Sequence, residues 1–137
     1  MFSGLVKHIG IVKNFSGETI TIKSDIKPTI GASIAVNGIC LTATKYKNGE
    51  FDAVLSKESR NNIAIENLKD RVHLEEALTL NDRLDGHIVQ GHIDCIGIIR
   101  KIEKNENGFE FYIEFDESKI PLIVPKGSIA IDGISLT

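Results

Sequence analysis

The sequence predicts an all-β protein in which one small antiparallel barrel or sandwich occurs twice, the second time incompletely. Two observations carry this prediction. Short stretches alternate apolar and polar residues between Gly- and Asn-containing turns, and a set of glycines and isoleucines recurs in the same order later in the chain. Alternation with a period of two places successive side chains on opposite faces, which is typical of strands rather than helices.

Three stretches show the alternation clearly. Thr19–Lys23 (TITIK) and residues 71–77 (RVHLEEA) each place two apolar side chains on one face, and residues 109–115 (FEFYIEF) place four there. Turn signals at Gly17, Gly49 and Gly108 separate the strands. The one helix-like stretch is 56–68, with Ser56 as its cap, and a second short helix is predicted over 117–123.

An internal duplication explains the recurring residues. The Gly/Ile pattern that begins at Gly4 returns at Gly91, 87 positions later (91 − 4), and the block around Gly38 returns around Gly133, 95 positions later (133 − 38). The first copy is predicted to span residues 1–86 and the second residues 87–137. The second copy has no counterpart of the strands and helix that follow Thr42, so we expect a fragment of a chain of about 200 residues, two copies of the size of the first.

Composition narrows the functional classes. Hydrophobic residues make up 42% of the chain and the net charge is −3, which is typical of a soluble globular domain. There is no basic stripe for nucleic acid, no apolar run long enough to cross a membrane and no signal peptide, so the expected location is the cytoplasm. Cys40 and Cys95 lie in no metal-binding spacing, and His87 and His92 fall on opposite faces of a straight strand, so no metal is expected.

Several residues are candidates for a functional site, each with a structural alternative. Residues 86–92 (GHIVQGH) are either a ligand-approach segment or a Gly-bulged strand. Cys40 is either a buried small side chain or a pocket residue. Its equivalent in the second copy is Ser135, which favours a pocket.

The remaining candidates are the strand hydroxyls Ser33, Thr42, Ser128 and Thr137, the strand-to-helix junction at Ser56 and Ser59, and Phe2. For these the alternatives are a solvated strand face, a helix cap and a tucked chain end. The residues alone indicate a duplicated barrel that binds a small polar ligand.

Four ordered motifs resemble those of riboflavin synthase, the trimeric heavy-subunit type. They are MFSGLVKHIG at residues 1–10, VNGICLT at 36–42, DGHIVQGHID at 85–94 and KGSIAIDGISLT at 126–137, and together they extend over essentially the whole chain. Departures are local: Lys7 and His8 stand where acidic residues are usual, Cys95 replaces a common Gly, and residues 60–68 differ from the usual helix pattern.

The resemblance implies two tandem six-stranded antiparallel Greek-key barrels. It also implies an enzyme that converts two molecules of 6,7-dimethyl-8-ribityllumazine into riboflavin and 5-amino-6-(D-ribitylamino)uracil without a cofactor. One lumazine would lie on the first barrel of one subunit and the other on the second barrel of a neighbour. A homotrimer is expected for the full-length chain, and association with lumazine synthase is a further expectation.

The resemblance also assigns residues to two sites. The first-barrel site would comprise Gly4, Leu5, Val6, Cys40, Leu41, Thr42, Val54, Leu55, Ser56, Lys57, Glu58 and Ser59, with Ser33 nearby. The second barrel would contribute Gly91, His92, Ile93, Lys126, Ser135, Leu136 and Thr137. Phe2 is expected to pack against a ligand ring. His92 is the expected proton-transfer or orienting group, and Cys40 and Ser33 are expected to position or supply the nucleophile that adds at C7.

Two alternatives remain at this point. An antenna-type protein of the same architecture would bind lumazine or flavin without catalysis, but such proteins are expected to lose polar site residues that this chain retains. A flavin-binding barrel of a reductase would need an Arg-x-Tyr/Ser-type motif, which is absent from the sequence. Because the second barrel's share is incomplete, we expect this chain to bind ligand on its first barrel and to show negligible turnover alone.

Overall fold

A computed structural model describes the backbone of residues 1–137 and every side chain except those of Lys57 and Glu58. Ten strands dominate it, and the prediction of an all-β protein is confirmed. The strands are β1 His8–Ser16, β2 Thr19–Lys23, β3 Ser33–Val36, β4 Ile39–Lys47, β5 Glu50–Val54, β6 Arg71–Glu76, β7 Ile98–Asn105, β8 Gly108–Glu114, β9 Ile129–Ile131 and β10 Ile134–Leu136.

Strands β1–β6 close into one barrel, which we call the first barrel. Their order around it is β1-β2-β5-β4-β3-β6, every neighbouring pair is antiparallel, and β6 returns to β1. Closure leaves no strand edge unpaired. Alternate side chains fill the interior, as the pattern predicted for β2 and β6, and the fully enclosed members include Ile20, Ile22, Leu41, Phe51, Leu55 and Leu74.

The second repeat, from β7 onward, does not close. The β7–β8 hairpin and the β9–β10 hairpin form two separate two-stranded sheets joined through a 3₁₀ turn at Glu117–Leu122. Ile102 pairs with Phe111 across the first hairpin, and both side chains remain about half exposed. The duplicated fold with an incomplete second copy is thus confirmed. The predicted boundary at 86/87 falls in the strand-free segment between β6 and β7 and stays a prediction.

The long helix predicted over 56–68 is wrong. One α-helical turn at Lys57–Arg60 and a 3₁₀ turn at Ile65–Asn67 replace it, although Ser56 does cap the first turn by accepting the Ser59 N–H at 3.1 Å. Asn61 and Asn62 follow the first turn, and Asn side chains compete for backbone hydrogen bonds. The buried Ile63 and Leu68 then join the barrel core, so packing takes precedence over helix continuation. The second predicted helix is the Glu117–Leu122 3₁₀ turn, which Asp116 caps.

Candidate ligand-binding site

The first residues of the two repeats pair with each other. Phe2 and Val89, equivalent under the 87-residue spacing, form an antiparallel bridge. The Phe2 N–H donates to the Val89 carbonyl at 2.7 Å, and the Val89 N–H donates to the Phe2 carbonyl at 3.0 Å. Two equivalent residues can exchange both hydrogen bonds only about a local twofold axis. The repeats are therefore related by a pseudo-twofold axis that passes between these residues.

Two equivalent turns meet on the same pseudo-symmetry. Asn37-Gly38 connects β3 to β4, and Asp132-Gly133 connects β9 to β10, with φ positive at all four residues as in a type I′ turn. A Cβ on Gly38 would lie 2.5 Å from the backbone nitrogen of Gly133, and a Cβ on Gly133 would lie 2.7 Å from that of Gly38. Glycine is thus required twice over, for its backbone conformation and for the close approach of the repeats.

The first segment of each repeat lies against a β-hairpin of the other repeat. The Cys40 N–H donates to the Gly91 carbonyl at 2.9 Å, and the Ser135 N–H donates to the Gly4 carbonyl at 2.7 Å. A Cβ on either glycine would come within 3 Å of its partner's Cβ. The grouping expected from the sequence, Gly4 with Cys40 and Gly91 with Ser135, is therefore replaced by a crossed one. Ile93, which packs on the first-barrel core, follows Gly91.

A row of polar and half-exposed side chains crosses the outside of the first barrel. Ser33 pairs with Thr42 across β3 and β4, and Thr42 pairs with Val54 across β4 and β5. The side chain of Thr42 is exposed and that of Val54 is 38% exposed. Cys40 lies two residues along the same face and is half-buried. The register thus brings Ser33, Cys40, Thr42 and Val54 together on one face, and we call them the outer row.

Three predicted site residues are placed where their side chains do not face solvent. Leu41 and Leu55 point into the barrel core, and Phe2 has no exposed surface. Phe2 instead packs on Gly91, whose added Cβ would lie 3.1 Å from the Phe2 ring. A contact of any of these side chains with a ligand would need a rearrangement, so their part in binding stays a prediction.

The loop after β5 continues from the outer row. Ser56 Oγ and Ser59 Oγ lie 2.9 Å apart, and Ser56 is exposed. The side chains of Lys57 and Glu58, which complete this predicted stretch, lie outside the described part of the structure.

His87, rather than the predicted His92, is the histidine of this motif whose ring contacts another described side chain. Its Nδ1 lies 2.7 Å from Ser135 Oγ, and both side chains are half-buried. His92 is exposed, and among the described side chains its ring has no hydrogen-bond partner. The GHIVQGH motif contains both histidines, but the sequence offers no means of telling which one meets Ser135, because that contact spans 48 positions.

Glu75 is a buried acidic residue that the sequence analysis did not single out. Its Oε1 accepts the Ser3 N–H at 2.7 Å and the Ser3 hydroxyl at 2.6 Å, and its Oε2 accepts the Gly4 N–H at 3.1 Å. In sequence it is one of two adjacent glutamates near the end of β6, with no local sign of burial. Glu75 is buried because Ser3, 72 positions earlier in the sequence, lies against it.

The remaining predicted residues lie near the end of the second repeat. Lys126 has a positive φ of 63° and is exposed, and Leu136 lies on β10. Residues 122–129, which include Lys126 and Ser128, line one shallow cavity of about 260 Å³ together with Thr137.

The described residues offer neither a metal site nor a membrane-spanning helix. No cluster of three or more His, Cys, Asp or Glu side chains is arranged to hold a metal ion. The described helices are also all too short or too polar to span a membrane.

Known proteins resemble both repeats of the chain. The family model for the lumazine binding domain matches residues 3–77 and again residues 90–137. Riboflavin synthases of Actinobacillus pleuropneumoniae and Bacillus subtilis (strain 168) are each 36% identical over the whole chain, which spans 68% of their length. That of Mycobacterium bovis is 39% identical, with 73% of its length covered.

Solved structures of LumP share the fold. The complex with 6,7-dimethyl-8-(1'-D-ribityl) lumazine superposes with a TM-score of 0.78 over 99% of this chain and 78% of that one, and the riboflavin complex with 0.81 over 98% and 78%. Sequence identity to both is 23%, so they bear on the fold alone. On the two domain matches and the identity to the synthases over its whole length, the chain belongs to the riboflavin synthase family of lumazine-binding-domain proteins.

Proposed function

We propose that this chain carries the lumazine-binding machinery of a riboflavin synthase, the enzyme that converts two 6,7-dimethyl-8-ribityllumazine molecules into riboflavin and 5-amino-6-(D-ribitylamino)uracil. One observation carries the proposal. The Cys40–Gly91 contact and the Ser135–Gly4 contact are equivalent under the internal repeat, so the chain builds the same local arrangement twice. A reaction between two copies of one substrate calls for two such related sites.

The first-barrel site consists of the outer row and the segment that lies beside it. Ser33 and Thr42 supply hydroxyls, Cys40 supplies a small thiol, and Val54 supplies an apolar surface for a ring. Gly91, through its hydrogen bond to Cys40, brings His92 and Ile93 to this barrel rather than to the second repeat. Small polar groups around an apolar surface suit a flat heterocycle with a polar ribityl chain.

The second-repeat share consists of Gly4, Leu5 and Val6 with Ser135, and Leu136, Thr137 and Lys126 complete it. The His87–Ser135 hydrogen bond fixes the Ser135 hydroxyl, which takes the place that the Cys40 thiol holds in the first barrel. A hydroxyl held by an imidazole is both oriented and able to exchange a proton. This pair supports a polar role for Ser135 toward the ligand.

The chemistry suits residues of these types. The C7 methyl of the lumazine is acidic because the heterocycle delocalises the carbanion, so the ring itself supplies the activation that a cofactor provides elsewhere. The protein has to align two rings, an effect worth several kcal/mol when the geometry is right, and to move protons. We assign His92, exposed beside the first-barrel site, to proton transfer or substrate orientation. Cys40 and Ser33 are assigned to positioning or supplying the nucleophile that adds at C7.

Assembly follows from the same chemistry. As the resemblance to riboflavin synthase implies, the two lumazines would meet between the first barrel of one subunit and the second repeat of another. We retain the homotrimer, the cytoplasmic location and the transferase class as part of the proposal. Association with lumazine synthase is part of it as well.

A binding-only function is the second candidate. It is favoured by the solved structures of LumP bound to the lumazine, to riboflavin and to flavin mononucleotide, which share the fold. Retention of Cys40, Thr42, His92 and Ser135 favours the synthase over this alternative.

One titration with matched variants tests the proposal. Fluorescence titration of the 137-residue chain with 6,7-dimethyl-8-ribityllumazine and with riboflavin should show saturable binding, and Thr42→Val should weaken it about tenfold, the loss of one good hydrogen bond. Thr29→Val, an exposed hydroxyl in the loop between β2 and β3, is the control and should bind as the wild type does. Equal affinities of the two variants would exclude the outer row as the site.

Riboflavin formation in the same samples separates synthase from antenna. Steady production that His92→Ala or Cys40→Ser reduces would assign the synthase reaction to this chain itself and contradict the expectation of negligible turnover alone. That expectation agrees with saturable binding and no product from this chain. It also requires that a full-length synthase turn over the lumazine and that substitution of its residues equivalent to His92 or Cys40 reduce the rate.

A further inference from the structure

We propose that Glu75 is a positioning residue that latches the first segment of the chain, residues 1–6, and through it sets the Gly4–Ser135 half of the site. The inference rests on the proposed function for its ligand. Its mechanism rests on the hydrogen bonds that join residues 3 and 4 to Glu75 of β6 and Gly4 to Ser135 of β10.

Glu75 is held entirely by donors of the first segment. It is 5% exposed, Ser3 is 2% exposed, and three hydrogen bonds from Ser3 and Gly4 reach its two carboxylate oxygens. Among the described side chains, no cation lies within ion-pair distance of it. A carboxylate can remain buried without a counter-ion only if hydrogen-bond donors replace the lost water, and two consecutive backbone N–H groups with a hydroxyl do so here.

Register places this latch at the functional surface. Glu75 pairs with Ala35 across β6 and β3, and Ala35 pairs with Cys40 across β3 and β4. Glu75 and Cys40 therefore lie in one cross-strand row on the outside of the first barrel. The first segment crosses that row at Glu75, and Gly91 covers it at Cys40.

Gly4 transmits the latch to the second repeat. Its N–H donates to Glu75 at 3.1 Å, while its carbonyl accepts the Ser135 N–H at 2.7 Å. A single residue is thus bonded on one side to β6 and on the other side to β10. A displacement of Gly4 would therefore move the backbone of Ser135. The Ser135 hydroxyl, which contacts His87 and which we place in the second-repeat site, would move with it.

The latch makes the two equivalent sites unequal. The residue equivalent to Ser3 is Gln90, which is exposed, and the described structure holds no buried carboxylate against it. Among the described hydrogen bonds, Gly91 is held by one to Cys40 and by the neighbouring Phe2–Val89 bridge, whereas Gly4 is also held by Glu75. The segment beside Ser135 is therefore held more firmly than the segment beside Cys40.

Backbone amide exchange on the full 137-residue chain tests the latch without requiring a ligand. In Glu75→Gln an amide group replaces one oxygen and presents N–H donors to N–H donors, so exchange at Gly4 and Ser135 should quicken at least tenfold. Exchange at Ile34 and Ala53, inside the barrel, should stay as in the wild type. Glu76→Gln is the matched control, an exposed glutamate next in sequence, and should leave all four unchanged.

Ser3→Ala keeps the carboxylate and removes the hydroxyl, which donates to Glu75 and accepts the Leu5 N–H at 3.3 Å, so it serves if Glu75→Gln does not fold. It should quicken exchange at Gly4 and Ser135 a few-fold. Wild-type exchange at these two amides in either folded variant would overturn the proposal. An equal acceleration throughout the barrel would also overturn it, because that result marks a core residue without a positioning role.

Riboflavin distinguishes this inference from the proposed function. In the wild type, added riboflavin should shift the amide resonances of Thr42 and Ser135, and in Glu75→Gln the Ser135 shift should be lost while the Thr42 shift persists. Absence of both shifts in the wild type would contradict the proposed function and leave the exchange result to decide the latch. Retention of both shifts in Glu75→Gln would count against the latch alone.

Discussion

Phe2 and Val89 hydrogen-bond to each other in both directions, although each is the repeat equivalent of the other. This bridge lies between two crossed contacts, Gly4 with Ser135 and Gly91 with Cys40. Each half of the candidate site is therefore assembled from both repeats. The stability of the contact between the repeats and the geometry of the site are consequently linked.

Gly38→Ala should destabilise the protein strongly. Ala in this left-handed conformation costs about 1 kcal/mol or more, and the added Cβ would lie 2.5 Å from the Gly133 nitrogen, which adds an overpacking cost of about 1–3 kcal/mol. Gly17→Ala is the control, since Gly17 has the same sign of φ but nothing within 4 Å of its added Cβ. Urea denaturation of both variants measures the difference, and equal losses would show that the turns do not meet.

Phe2→Ala should cost about 3–5 kcal/mol of unfolding free energy, the range for a buried Phe. A second residue of a chain is ordinarily tolerant of change, but Phe2 is fully enclosed and packs on Gly91. Phe109→Ala is the comparison, because Phe109 is 61% exposed and its loss should change the unfolding free energy little. A near-neutral Phe2→Ala would mean that the first segment is not docked in solution.

The sequence predicted local elements well because their signals are local. Thr19–Lys23 is a strand over the predicted residues, and the isoleucines that alternate in it are buried. The duplication was also predictable, since glycines at equivalent positions meet steric demands that no other residue satisfies.

The crossed grouping and Glu75 were not predictable, for one physical reason. The bonds of Gly4 to Ser135 and of Ser3 to Glu75 join residues far apart in sequence, and neither leaves a periodic pattern. From the motifs alone, Gly4 and Gly91 could each lie at the site of either repeat. The motifs favour the grouping of each glycine with its own repeat, whereas each lies against the other repeat. The helix over 56–68 failed for the related reason that packing of Ile63 and Leu68 decided the backbone.

Ser135→Ala should free the His87 ring while leaving the repeats joined. The variant removes the 2.7 Å contact between Ser135 Oγ and His87 Nδ1, but the Ser135 N–H still donates to Gly4. We expect a loss of about 0.5–1.5 kcal/mol in unfolding free energy and a clear change in the His87 ring nitrogen resonances. Ser118→Ala, an exposed hydroxyl, is the control. Unaltered His87 resonances would argue against the hydrogen bond.

Apolar side chains of the β7–β8 hairpin should bind a hydrophobic dye. Ile102 and Phe111 pair on one face and are 53% and 46% exposed, so this face presents contiguous apolar surface. Ile102→Lys should lower the fluorescence of bound anilinonaphthalene sulfonate. Ile30→Lys, at a single exposed isoleucine in the loop between β2 and β3, should lower it much less. Equal effects of the two substitutions would mean that the dye binds elsewhere.

The same hairpin should lose order in acid before the barrel does. A hydrogen bond from Arg100 lowers the pKa of Glu114 below its ordinary 4.5, and hydrogen bonds from Lys101 and then Tyr112 lower that of Glu103. A carboxyl whose pKa is lower in the folded state binds protons less readily there than when unfolded. The stabilisation is therefore complete above about pH 4.5 and disappears as the pH falls through the lowered folded value.

Amide exchange of β7 and β8 between pH 6 and pH 3, corrected for the intrinsic pH dependence of exchange, measures this loss. In the wild type, protection of the hairpin should fall over the acid part of that range while protection of β2 and β5 persists. Glu114→Gln should reduce the pH dependence, since it cannot titrate, and should lower protection at pH 6, where the Arg100 pair is intact in the wild type. Glu106→Gln, in the hairpin turn and without a described ion pair, should keep the wild-type profile. A profile of Glu114→Gln identical to that of Glu106→Gln would exclude the Arg100–Glu114 pair as a source of the hairpin's order.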